Sequence, residues 1–208
     1  MFSSALGDLS KDARTYYASL WYGLPPSLKD VLRLISAFPF FWPDKAFPAI
    51  ARASESAFPD IPAVAHLLYE SPAGRKVFHE SLAVFVRETD EFDARIQSLL
   101  PHVIHWIENS APDSLRVNWL WSVQARAGSP DNLITGLTRD WVMSRIEEGF
   151  PETLFKTLLS DALEAARDTG RFADAYRIEH LSNRVLPRDS QNQSDNTARM
   201  RVIGIEHS

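Results

Sequence analysis

The stretch Phe78-His79-Glu80-Ser81-Leu82-Ala83-Val84-Phe85-Val86, preceded by Arg75-Lys76, decides how this chain is read. Phe78, Leu82, Phe85 and Val86 recur at i, i+4, i+7 and i+8, which places them on one apolar face of a helix. His79 falls at the start of that helix, just outside the stripe. Upstream stands Ser71-Pro72-Ala73-Gly74, a tight turn by composition, leaving Arg75 to Val77 for a short strand or wing.

Working outward, proline and glycine punctuate the chain into helices. Ser10 is expected to cap a first helix carrying Tyr16, Tyr17, Leu20 and Trp21, which Gly23 and Pro25-Pro26 end. Ser27 is expected to cap a second, with Leu28, Val31, Leu32 and Ile35 inward. The aromatic turn Phe38 to Trp42 follows, and its prolines favour loop packing on the core. Asp44 opens a third helix, with Pro48 tolerated in the first turn. Asp60 and Pro62 open a fourth that runs from Ile61 to Glu70 and holds Val64, Leu67 and Leu68. Three helices, a turn with a brief extended piece and a closing helix make a winged-helix outline over residues 27–89.

The second half reads as helix throughout. Pro101 either kinks one helix or starts another. Further segments cover 113–127, 131–137, 141–148 and 151–170, and a last one ends near Leu186 before Pro187. The closing pair around Gly170 resembles one TPR-type helix hairpin, with Phe172 and Tyr176 expected to fill the space between its helices. The expectation is therefore a mainly α chain: a linker helix (1–26), a winged-helix-like module (27–89), a TPR-like helical arm (90–187) and a polar, mobile tail (188–208).

Composition narrows the function. Of 208 residues, 45% are hydrophobic and 24% charged, which suits a folded domain rather than a disordered chain. The net charge of -5 opposes binding that relies on neutralising phosphates. With no cysteine there is no disulfide scaffold, thiol nucleophile or Cys-type zinc site. No signal peptide begins the chain and no apolar run reaches the roughly 18–20 residues that span a bilayer. It is read as soluble and cytoplasmic.

The Phe78 to Val86 stretch resembles the F-x-H-x-S-F-x-x-F signature that closes the winged-helix module of STAND-class signalling ATPases, the NACHT and NLR-like proteins. Tyr16 to Trp21 and Leu24 to Ser27 resemble the linker into that module, and Leu32 to Pro39 its first helix. Leu115 to Leu120 and Asp140 to Val142 resemble the helical arm that follows it. The resemblance implies that His79 reaches the β-phosphate of ADP, with Arg75 and Lys76 adding positive potential. It also implies a P-loop, yet none of the eight glycines opens Gly-x-x-x-x-Gly-Lys-Ser/Thr. The chain is thus expected not to be an enzyme. It would act as a non-catalytic regulatory module beside a P-loop ATPase or other protein, meeting ADP or ATP only where that partner supplies the P-loop. The alternative is a TPR-like interaction scaffold unrelated to nucleotide.

Other constellations favour bland readings. His102 and His105 share a helical face with Glu108 near, but without a marked third ligand they read as surface histidines and no metal is expected. Asp90-Glu91 and Glu147-Glu148 have no partner base or nucleophile, and no Gly-x-Ser-x-Gly elbow occurs. DNA binding through Ile61 to Glu70 is disfavoured because that segment holds no Arg or Lys. No catalytic residue is assigned.

Overall fold

Prolines and glycines set the helix ends, with some shifts from expectation. Pro25 and Pro26 separate α1 (Lys11–Gly23) from α2 (Pro26–Ala37). Pro26 suits the first helical position, where an amide has no intrahelical partner. This displaces the expected Ser27 cap: Pro25 takes the cap position and Ser27 falls inside the first turn. In α3 (Ala46–Ala53) Pro48 sits in the first turn, as expected. The computed structural model describes residues 11–185, so the Ser10 cap and the 188–208 tail lie outside them. Those residues are mainly helical, and none of their helices is long and apolar enough to cross a membrane.

The chain divides into two compact units between Arg116 and Val117. In the first, the buried side of α2 (Leu28, Val31, Leu32 and Ile35) packs on α4 (Glu80–Arg87) and α5 (Phe92–Asn109), while α3 also packs on α5. The helical arm is expected from residue 90. Yet α5 belongs to the first unit, since Phe92, Ile96, Leu99, Leu100 and Val103 are buried there. Pro101 lies within α5 and does not end it.

Between α3 and α4 the chain differs most from expectation. The helix drawn from Ile61 to Glu70 is a 3-10 segment, Ile61–Leu67, followed by β1 (Leu68–Ser71). After the tight turn comes β2 (Gly74–Val77), antiparallel to β1 with Leu68 opposite Val77 and Ser71 opposite Gly74. Pro62 stands at the start of the segment, and from Leu68 on the ladder bonds to β2 take the backbone groups that a longer helix would have used. Trp42 adds an isolated antiparallel bridge: its N–H donates to Arg75 O and its carbonyl oxygen accepts from the Arg75 N–H, both at 2.8 Å. Gly74 turns with φ +128°, and a Cβ there would lie 2.2 Å from the Trp42 carbonyl oxygen. Only glycine lets the turn close under this bridge.

Trp42 itself is fully buried, stacked on Phe47 and Trp106 at 5.7 and 5.9 Å between ring centres. Beside this aromatic core lies a set of ion pairs. Arg33 donates to Asp30 Oδ1 at 3.2 Å and to Glu91 Oε2 at 3.1 Å, and Arg95 Nε donates to Asp30 Oδ1 at 2.9 Å. Asp30 and Arg33 are only 8% and 6% exposed, so each compensates a charge that burial alone would exclude.

The division falls within α6 (Asp113–Arg126). The second unit continues through α7 (Asp131–Gly136), α8 (Arg139–Glu147), α9 (Glu152–Asp168) and α10 (Phe172–Val185). Thr138 caps α8, its hydroxyl accepting from the Trp141 amide at 3.2 Å. Arg177 donates to the carbonyls of Leu137 and Ile134, satisfying the end of α7. Helices α9 and α10 form a hairpin turning at Gly170 (φ +70°), with Ala162, Ala166, Ala175 and Ile178 in its buried cluster. Phe172 and Tyr176 do not fill the space between them, as both are 74% exposed. Ala175, Ile178 and Leu181 take the inward face of α10, which turns Phe172 and Tyr176 away from it.

Candidate functional site

Consecutive residues in a strand point to opposite faces, so Arg75 and Lys76 in β2 cannot act on one ligand from one side. On its face, Arg75 is engaged within the protein. Its Nε donates to Asp44 Oδ1 at 2.7 Å and its Nη2 to Asp44 Oδ2 at 3.3 Å, with Glu70 Oε1 3.4 Å away. Glu70 is its direct neighbour across the hairpin, and Asp44 arrives just after the Trp42 bridge. The hydrogen bond to Asp44 raises the Arg75 pKa above the usual guanidinium value, outweighing desolvation. A groove of about 550 Å³ runs past this ion pair, between the hairpin and residues 110–112. Arg75 is a strut of the hairpin rather than a free cation.

Lys76 lies on the other face, directly opposite Tyr69. His79 stands beyond the end of β2. It occupies the position before α4 with an extended backbone (φ -116°, ψ 125°), and its carbonyl accepts from the Leu82 amide at 3.0 Å. Its ring is exposed, makes no capping bond and meets the Phe78 ring edge-on at 4.5 Å. Phe78 was expected on the buried stripe. It is instead 58% exposed, because its amide extends the β ladder to Leu67 O (2.9 Å) and the helix begins only at Glu80. Leu82, Ala83 and Val86 form the buried side of α4. The three residues singled out from the sequence therefore do not converge: one on each face of the hairpin and one at the entry to α4.

Helix α1 anchors α4. Tyr17 and Ser81 share a hydrogen bond of 2.9 Å, and Arg14 donates to Glu88 at 2.7 Å. Between α1, α2 and the end of α4 lies a cleft of about 390 Å³ floored by Trp21. Arg33 and Lys29 sit 5.2 and 5.6 Å from the centre of that ring. The Arg33 Nε has no hydrogen-bond partner, and its guanidinium lies instead against the indole. With Asp30 and Glu91 on its remaining nitrogens, Arg33 is held by the protein on every side.

Several other sequence candidates have partners within the chain. His105 faces Asn109, whose side chain lies 3.2 Å from Nδ1, and Glu91 accepts from Arg33. Glu148 accepts from Arg145 and Ser144. Among the described residues, no three His, Cys, Asp or Glu side chains are grouped to hold a metal. Asp44 and Phe41 meet the hairpin and Tyr69 lies in it, yet no local motif marks any of the three as a site residue. Their signal was weak, since the pairing that unites them spans about thirty residues of chain. Compared with protein-family models, curated proteins and solved structures, the chain gives no significant match.

Proposed function

We propose that the chain is a non-catalytic regulatory and scaffold module of a STAND-type nucleotide switch, working in the cytoplasm beside a P-loop ATPase on another chain. One observation carries the reading: the order α2, Trp42 bridge, α3, 3-10 segment, β1–β2 hairpin and α4, which we read as a winged-helix outline. His79 supports it further. The imidazole is exposed where the chain enters α4, and first-turn amides without intrahelical partners favour an anion at such a point. In this reading His79 approaches the β-phosphate of ADP held by the partner, while Arg75 only braces the hairpin. Nucleotide would bias two packings of the module on the ATPase, in the manner of a rigid-body switch.

The test is affinity purification of the tagged chain from its native cell extract with ADP or ATP added. A P-loop ATPase identified by mass spectrometry is expected with ADP and depleted roughly tenfold by His79→Ala. Recovery of no P-loop protein under either nucleotide overturns the proposal. A second reading, a TPR-like scaffold unrelated to nucleotide, draws on the α9–α10 hairpin and its outward Phe172 and Tyr176. That reading expects captured proteins to be lost with Phe172→Ser and Tyr176→Ser and retained with His79→Ala.

A further inference from the structure

The hairpin has two faces with different charge arrangements. On one, Arg75 is matched by Asp44 and Glu70. On the other, Lys76 makes no ion pair with any described residue. Its neighbours are aromatic. Tyr69 lies directly across the hairpin, and one step from the Trp42–Arg75 bridge the antiparallel register sets Phe41 opposite Lys76 on its other side. The rings of Phe41 and Tyr69, on the two segments that flank Lys76, approach to 6.1 Å between centres. Phe78, two residues after Lys76, carries the same face onward. Tyr69 is 51% exposed and Phe78 more so.

Large aromatic side chains grouped on a surface mark contact sites more often than solvent-facing ones. The unmatched lysine among them specifies what should cover it. We propose that the Phe41–Lys76–Tyr69 row, extended by Phe78, docks an acidic segment of a partner protein. One carboxylate meets Lys76 Nζ, and flanking aliphatic or aromatic side chains lie on the rings. A nucleic-acid backbone fits poorly, because phosphates in series need cations in series and Arg75 is turned to the opposite face. The proposal is independent of the nucleotide role of His79.

The experiment is selection of a random dodecapeptide phage library on the full chain and, in parallel, on Lys76→Glu. Peptides enriched on the natural chain should carry Asp or Glu beside Leu, Phe or Trp. A synthetic peptide from that pool should lose affinity roughly tenfold on Lys76→Glu and on Tyr69→Ala. The Lys76→Glu chain should enrich basic peptides instead. Tyr69 is exposed and Lys76 partly so, and unchanged far-UV circular dichroism checks that the variants fold. No enrichment, peptides without acidic residues, or binding insensitive to both substitutions overturns the proposal. Retention of single-stranded oligonucleotide or anionic vesicles by this face in competition with the peptide does so too.

Discussion

The two units solve the same packing problem with different chemistry. The buried polar side chains among the described residues, Asp30, Arg33 and Ser36, all belong to the first unit, where Asp30 lies between two guanidinium groups joining α2 to α5. In the second unit the buried cluster is apolar, with alanines where α9 and α10 meet. Directional bonds fix how α2 meets α5, since a slipped register would leave a charge unmatched. The α9–α10 hairpin depends on shape instead, through small residues that let the helices close in.

The contrast is sharpened first by removing its aromatic centre. Trp42→Ala should destabilise the first unit by about 3–5 kcal/mol, the range for large core truncations, read by chemical denaturation. Phe155→Ala should do likewise for the second. If charge rather than packing dominated the first unit, Asp30→Ala would instead be the most damaging change.

Asp30→Ala is expected to cost about 3 kcal/mol, because it leaves the buried Arg33 with only the exposed Glu91 as a carboxylate partner. The pair Asp30→Leu with Arg33→Met should cost less than Asp30→Ala alone. A double variant at least as damaged would mean that the pair contributes through packing contacts not reproduced by apolar residues.

Gly74→Ala ranks next, at about 1–3 kcal/mol, since it adds a Cβ into the Trp42 carbonyl and a strained φ. Hydrogen exchange should quicken at the Trp42 and Arg75 amides, which hold the bridge. Exchange unchanged at both would refute the interlock of turn and bridge.

The smallest effect tests the second unit's own exception, a half-buried carboxyl. Burial pushes the Asp161 pKa up, although the hydrogen bond from Ser122 Oγ (3.2 Å) pulls it back. The folded chain therefore holds that proton more readily than the unfolded one. The burial penalty is absent below the ordinary carboxylate range, and stability falls as pH rises through the shifted pKa. Asp161→Asn keeps an acceptor for Ser122 and should flatten the profile just above the ordinary carboxylate range, seen in thermal melts. An identical slope in the variant would assign it to other groups.

Much of the helical order was legible because breakers sit where helices stop: Gly23, Gly128, Gly149, Pro25 and Pro151. The turn at Ser71 to Gly74 was equally plain. Its first strand was not, because Leu67-Leu68 suits a helix as well as a strand until the partner strand is known. Phe78 misled for a related reason: a helical spacing continued one residue too far into a β ladder. At the candidate site, local sequence gave the positions of Arg75, Lys76 and His79 but not their partners. Asp44 and Phe41 reach the hairpin only through the Trp42 bridge, a tertiary pairing with no local pattern. Phe172 and Tyr176 have the spacing of an inward stripe, yet Ala175 and Ile178 allow closer helix contact and take that place.

Each unit also holds a close indole pair of its own: Trp42 with Trp106 at 5.9 Å, and Trp121 with Trp141 at 4.6 Å between ring centres. Chromophores this near couple their electronic transitions, and the two pairs differ in spacing and tilt. The molecule thus carries two native optical probes, one per unit. Dichroism in the aromatic bands, with one member of either pair changed to phenylalanine, can follow each melting event separately without any attached dye.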